Sequence, residues 1–270
     1  LTYCTSCINK PNLMDLHYTK RIGIKAAYIG AAVLRSFFGK ITRIEKKGPA
    51  DLVTEADTAS EKAIIETIST VFPDHGILAE EGGLRENGRR HQWIVDPLDG
   101  TTNFAHQVPL FSVSIALSID RQIVFGIVLN PITGELFTAD RGAGARLNDR
   151  PIRVSETELI TDSLLATGFP YDRRDGMDRL MTRFRRCLTA SRGIRRLGSA
   201  ALDLCFVACG RFDGYWEKGL KPWDVAAGAL IAQEAGGWVT DFAGAPYNLD
   251  SGEILATNNR IHTEMLQLLA

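Results

Sequence analysis

Residues 96–104 run Asp-Pro-Leu-Asp-Gly-Thr-Thr-Asn-Phe, directly after the apolar Trp93, Ile94 and Val95. Two carboxylates three positions apart at the end of a predicted strand suit a hard divalent cation, which takes oxygen ligands. The Gly100-Thr101-Thr102 that follows offers successive backbone N–H groups to an anion. Pro97 stiffens the turn, and Gly100 admits close backbone approach. Cation ligands and an anion-binding turn in the same few residues point to phosphate chemistry.

Two carboxylates do not complete such a site, so further oxygens must come from other segments. Glu80 stands in Glu80-Glu81-Gly-Gly after the short apolar run 76–79. Asp224 stands in Lys221-Pro-Trp-Asp at a predicted helix start, with its side chain expected to point outward, and Asp57 closes Asp51-Leu-Val-Thr-Glu-Ala-Asp57. Each has a plainer reading when taken singly. An acid at a helix start is usually a cap, and a Glu-Glu pair before Gly-Gly is usually a solvated turn.

The elements that must position these residues follow from periodicity. Ile22, Ala26, Ile29, Val33 and Phe37 recur at spacings of three and four, which predicts a helix over 16–38 stopped by Gly39. Thr58-Ala-Ser-Glu61 has capping-box spacing ahead of Ile64, Ile65, Ile68 and Phe72, placing Asp57 just before a second helix that Pro73 ends. Strands are expected at 76–79 and 92–95, the latter ending at the Asp96 turn. Four more, at 111–119, 123–129, 135–139 and 143–147, are separated by turn signals and read as an antiparallel meander. After Ile152 the pattern alternates: extended 163–167, helical 177–190 and 200–208, extended 214–217, helical 225–235, extended 238–241 and 254–257, and a last helix from Ile261.

The chain has 270 residues with 31 Lys+Arg against 32 Asp+Glu, a formal charge of −1. No global basic field is available to gather nucleic acid or anionic lipid, so an anion must be held locally. The apolar stretch 111–119 is broken by serines and is far shorter than the roughly 20 residues a bilayer span needs. With no signal-peptide pattern at the N-terminus, the cytoplasm is the expected location. Five cysteines make no disulfide framework, and Cys205 and Cys209 in an apolar helix read as buried thiols. Cys4 and Cys7 have C-x-x-C spacing but no second Cys or His pair at zinc-site distance, so residues 1–15 read as a tail.

Taken together, these residues resemble the inositol monophosphatase family, within the superfamily of lithium-sensitive, Mg²⁺-dependent phosphatases. The resemblance rests on Glu80-Glu81 after an apolar strand, on Trp-Ile-Val-Asp-Pro-Leu-Asp-Gly-Thr-Thr-Asn-Phe at 93–104, and on Trp-Asp-Val-Ala-Ala-Gly with Glu-Ala-Gly-Gly at 223–237. It extends through Asp51 to Asp57, through Gly198-Ser-Ala-Ala-Leu-Asp203, and through Tyr215-Trp-Glu217, covering roughly 16–268. The implied fold is an α/β layered sandwich. Its N-terminal half, 16–151, would hold the metal and phosphate on a large antiparallel sheet with helices; its C-terminal half, 152–270, would carry a smaller mixed sheet, the two forming one catalytic unit.

The resemblance also implies roles. Glu80 and Asp96 with the Leu98 carbonyl would hold one Mg²⁺; Asp96, Asp99 and Asp224 would hold a second; a third, weaker ion would share Glu80. Thr101 with Asp57 matches the family's water-activating pair. N–H groups of Gly100, Thr101 and Thr102 would bind phosphate oxygens, and Lys46, beside Lys47, matches a loop lysine. Glu217, with Asp99, would contact the alcohol, adjoined by Gly198, Ser199 and Ala200. The implied activity is hydrolysis of small phosphate monoesters, inositol monophosphate first, by a homodimer. Histidinol phosphate and fructose 1,6-bisphosphate are the alternatives from related enzymes, and a non-catalytic regulatory module is the alternative from another class.

Overall fold

A computed structural model of the chain describes residues 13–40, 44–46, 52–85, 90–170, 176–249 and 251–270. The Cys4/Cys7 pair, Lys47 and the side chain of Lys46 lie outside the described residues. The chain opens with α1 (Leu13–Phe37), the strand pair β1 (Ile44–Lys46) and β2 (Leu52–Thr54), and α2 (Glu55–Val71). Then come β3 (Gly76–Ala79), β4 (Gly83–Arg85), β5 (His91–Asp99), the short α3 (Thr101–Ala105), β6 (Ser112–Ile119), β7 (Gln122–Leu129), β8 (Leu136–Asp140), β9 (Gly144–Leu147) and β10 (Arg150–Ile152). The remainder is β11 (Leu164–Thr167), α4 (Met177–Ala190), β12 (Gly193–Arg195), α5 (Ala200–Ala208), β13 (Gly214–Lys218), α6 (Pro222–Glu234), β14 (Trp238–Thr240), β15 (Glu253–Thr257) and α7 (His262–Leu269).

Eight strands form one sheet in the order β10-β9-β8-β7-β6-β5-β3-β4, and five form a second in the order β12-β11-β13-β15-β14. The meander expected from turn signals is present, extended by β10. The large sheet departs from the all-antiparallel expectation at one pair, because β4 folds back on the outer edge of β3 and β5 then returns parallel to β3. The small sheet is mixed: β11 runs parallel to β12 and β13, while β15 runs antiparallel to β13 and β14.

Successive strand side chains point to opposite faces, and this alternation sorts the core into three packed layers. Trp93 and Val95 face α1 and α2, in a cluster with Ala27, Leu34, Ile64 and Ile68. Ile94 between them faces the opposite way, toward α5 and α6, with Leu204, Val207, Val225 and Ile231. The small sheet closes that middle layer with Tyr215, Ile254 and Ala256, while Trp216 and Leu255 turn outward to Cys187, Ile261 and Met265 of the last layer. Helices and sheets therefore alternate, with α5 and α6 sandwiched between the two sheets. That burial explains why α5 and α6 show no amphipathic stripe: nine consecutive α5 residues are buried.

Two local expectations change. The α2 cap is Thr54 rather than Thr58, and Asp57 is the third helical residue, reciprocating with the Thr54 N–H. Glu61, expected to close a capping box, instead accepts the Glu81 N–H at 2.8 Å and tethers the turn after β3. The β5 strand does not end at Asp96: it continues to Asp99 through a register shift against β6 between those two residues. A bulge there suits Pro97, which has no N–H to give a ladder.

Candidate active site

The bulged end of β5 brings Asp96, Leu98 and Asp99 together with α3, the first turn of α2 and the N-termini of α5 and α6. Asp96 is 1 % exposed, and its Oδ1 accepts the Leu98 N–H at 3.0 Å. Burial pushes its carboxyl well above the usual carboxylate range, and the charges of Glu80, Asp99 and Asp224 add to the rise. Asp224 is raised in the same way, by burial first and then by Asp99 and Glu80, against the Lys221 N–H bonded to its Oδ2 at 2.7 Å. The outward-pointing side chain expected of Asp224 is thus a helix cap and a member of the acidic cluster at once.

Asp99 is held by four donors. Ser199 Oγ gives to its Oδ2 at 2.5 Å, Ala201 N at 2.9 Å and Ser112 Oγ at 3.3 Å, and Ala200 N gives to Oδ1 at 3.2 Å. A carboxylate on the first N–H groups of α5 is where the helix dipole favours negative charge. Burial still raises Asp99, with these hydrogen bonds opposing the rise. The Ser199 hydroxyl is 1 % exposed and spent on Asp99, while Gly198 and Ala200 line the open cleft.

Thr101 lies 7 % exposed in the first turn of α3, with its hydroxyl 3.1 Å from Asp57 Oδ1 and 3.1 Å from the Leu98 carbonyl. A hydroxyl has one proton, so Thr101 serves one of these acceptors at a time. Asp57 is fully buried, and its other oxygen takes the Thr54 hydroxyl at 2.5 Å and the Thr54 N–H at 2.8 Å. Burial raises the Asp57 carboxyl and the Thr54 hydrogen bonds oppose it. Gly100, with φ of +102°, makes the turn into α3; a Cβ there would come within 3.2 Å of the Gly198 carbonyl.

A cleft of about 370 Å³ opens on this cluster, lined by Asp99, Gly100, Thr102, Glu217 and Asp224 among others. Asp57 and Asp96 lie buried behind it, and Glu80 is half-buried at the end of β3. A more voluminous cavity, about 670 Å³, lies between the large sheet and α6 and contains none of these residues. On the far wall, Glu217 takes the Tyr215 hydroxyl at 2.6 Å, and burial pushes its carboxyl up to about 7. Arg196 lines the cleft and its charge draws Glu217 and Asp203 back down.

The donor set fits a hard cation by chemistry. The charges that act most strongly on Asp96 are all acidic, and buried carboxylates without a cation are costly. As the side chains stand, no group of three His, Cys, Asp or Glu among the described residues is close enough to hold one ion. Asp96, Asp99 and Asp224 are each turned to N–H or hydroxyl donors of neighbouring backbone and serines.

Residues 15–270 match the sequence model of the inositol monophosphatase family. The chain belongs to that family. It is 49% identical to an inositol-1-monophosphatase of Synechocystis sp., over 95% of this chain and 90% of that one. It is 45% identical to a protein of Pseudomonas aeruginosa named Nus factor SuhB, over 84% of this chain and 85% of that one. Among solved structures, the extragenic suppressor protein suhB of Bartonella henselae superposes with a TM-score of 0.90 at 42% identity, covering 93% of this chain and 98% of that one. As an inositol monophosphatase family member, the chain is a phosphoric monoester hydrolase.

Several residues that build the site carried no signal of their own. Ser112 and Thr54 act through hydrogen bonds to acids from other segments or from the next turn. Tyr215 was readable in principle: two positions before Glu217 on one strand, it shares that residue's face. Asp203, 1 % exposed and raised by burial, Glu217 and Asp99, sits in α5 behind the alcohol-side wall.

Proposed function

We propose that this chain hydrolyses inositol monophosphate with Mg²⁺ held by Glu80, Asp96, the Leu98 carbonyl, Asp99 and Asp224, and that it works as a cytoplasmic homodimer. The observation that carries the reading is the Thr101 hydroxyl on buried Asp57, set beside Asp96, whose carboxyl is raised by burial and by the charges of Glu80, Asp99 and Asp224. Bound Mg²⁺ would neutralise the phosphate dianion, lower the pKa of the attacking water and stabilise the leaving alkoxide.

The protein's own groups divide the remaining work. Thr101 Oγ1 donates a hydrogen bond to Asp57 Oδ1 and so presents a lone pair to a water, fixing its direction of attack. Thr54 holds Asp57 in place through its hydroxyl and N–H. Backbone N–H groups of Gly100, Thr101 and Thr102 bind phosphate oxygens. Asp99, Gly198, Ser199, Ala200 and Glu217 form the alcohol side, and Lys46 is assigned to substrate binding as the loop lysine. Of these, Ser199 acts through Asp99, whose carboxylate it holds.

No described helix is long and apolar enough to cross a bilayer. The test is phosphate release across inositol 1-phosphate, histidinol phosphate and fructose 1,6-bisphosphate. The highest kcat/KM is expected for inositol 1-phosphate; a tenfold preference for either of the others would overturn the substrate assignment and leave the reaction class intact.

A further inference from the structure

The cleft does not end at Glu217. A side chamber of about 180 Å³ shares Phe169, Pro170, Glu217 and Gly219 with it. Its other walls come from α4, the end of β13 and Phe242, and are mostly apolar: Leu180, Phe184, Trp216 and Phe242. Among the described residues, its charged lining beyond the shared Glu217 is cationic, namely Arg179, Arg183 and Lys218.

Arg183 is the unusual member. It is 8 % exposed, its guanidinium lies 4.8 Å from the centre of the Phe242 ring, and its Nε finds no hydrogen-bond partner among the described residues. Glu253 acts on it only through charge, with no ion pair between the two. A buried guanidinium with an unmatched N–H is costly, and an aromatic face satisfies the cation without satisfying the donor. A phosphate or carboxylate matches the planar fork of donors that Arg presents. Arg179 and Lys218, both exposed, would supplement the field at the chamber's rim.

The geometry points to an accessory anion subsite in this chamber, centred on Arg183 and reached through the catalytic cleft past Glu217. Its ligand is a phosphate or carboxylate group, carried either on the leaving alcohol of the substrate or on a separate small anion bound beside it. The first source would make the enzyme favour esters with a second anionic substituent; the second would make the chamber a sensor of free anions. The inference rests on the cleft being the phosphatase site proposed above.

The test compares the Mg²⁺-loaded protein with Arg183→Met, which keeps an apolar stem against Phe242. One arm measures kcat/KM for inositol 1-phosphate and inositol 1,4-bisphosphate. The ratio of bisphosphate to monophosphate is expected to fall at least tenfold in the variant, chiefly through KM. The other arm measures Tm against sulfate concentration: a sulfate-dependent rise lost in Arg183→Met, with an unmoved substrate ratio, assigns the subsite to a free anion. If neither the ratio nor the sulfate response differs between the two proteins, the subsite is overturned and Arg183 is packing alone. Should Arg183→Met fail to fold, Arg179→Gln/Lys218→Gln replaces exposed side chains only; a threefold fall in the ratio or a weakened sulfate response is expected, and no change in either overturns the proposal. Wild-type protein inert toward both esters would sink the phosphatase reading, while the sulfate arm would still report on the chamber.

Discussion

The two ends of the cleft are built on opposite principles. At the phosphate end, buried acids of β5 and α6 meet half-buried Glu80, and neighbouring carboxylate charges raise Asp96 and Asp224. At the alcohol end, Glu217 faces Arg196 on one side and the Arg183 chamber on the other. On the proposed function, a cation would offset the charge at the first end, and a substrate hydroxyl would join Glu217 and Tyr215 at the second. The proposed function thus assigns reaction type to the acidic end and substrate choice to the Glu217 end.

Breaking the phosphate end should cost most. Asp96→Asn removes the charge shared by the whole acidic cluster, and phosphate release should fall by about 10³-fold or more. The same change relieves repulsion, so the variant's urea midpoint should hold or rise; a lower midpoint would count against a cluster under strain. Next comes Thr101→Val, which keeps shape and removes the hydroxyl on Asp57. Its kcat should drop by about 10²-fold with little change in KM, measured by steady-state phosphate release.

The alcohol end should respond through KM. A Cβ added at Gly168 would stand 1.8 Å from Glu217 Oε2, so Gly168→Ala must swing that carboxylate off the Tyr215 hydroxyl. The variant should raise KM for inositol 1-phosphate by about tenfold and leave kcat within about threefold; an equal loss in kcat would place Glu217 in the chemistry instead.

The smallest effect concerns neither end. His262 is fully buried between Thr240 and Thr257 and stacked on Trp238, and burial pulls it down to about 4 from its ordinary 6.5. Thr240 already donates to the Asp241 carbonyl, so it accepts from His262 Nε2, and the neutral ring fits the network. With the folded value depressed, the unfolded chain binds more protons between about 6.5 and 4, so stability is full at pH 7 and erodes as the pH falls through that window. Urea midpoints at pH 7.5 and 5 should differ less in His262→Gln than in the wild type.

The centre of the phosphate end was legible because Asp96 to Thr102 carry two acids, a Pro and a Gly in one contiguous turn; the bulge that carries β5 on to Asp99 was not, because it forms against β6. Helices α4 and α5 matched the expected 177–190 and 200–208 residue for residue. Short edge strands such as β4, β10 and β12 were not legible, since three residues carry too little periodicity and form by pairing with a neighbour. The cap of α2 was misread because Thr54 and Thr58 both have an acid three residues on, and only tertiary contact sends Glu61 to the Glu81 N–H instead. Nor could the sequence join Arg183 to Glu217, which meet across α4 and β13 in a chamber of the folded chain.

The central claim is that the acidic cluster works by holding a cation. Phosphate release from inositol 1-phosphate should be measured on chelator-stripped protein, before and after Mg²⁺ is restored, for the wild type and Asp96→Asn. The account predicts negligible release without Mg²⁺, recovery of the wild type on its return, and no comparable recovery in Asp96→Asn. Equal rates with and without the cation, or full recovery in the variant, would contradict it.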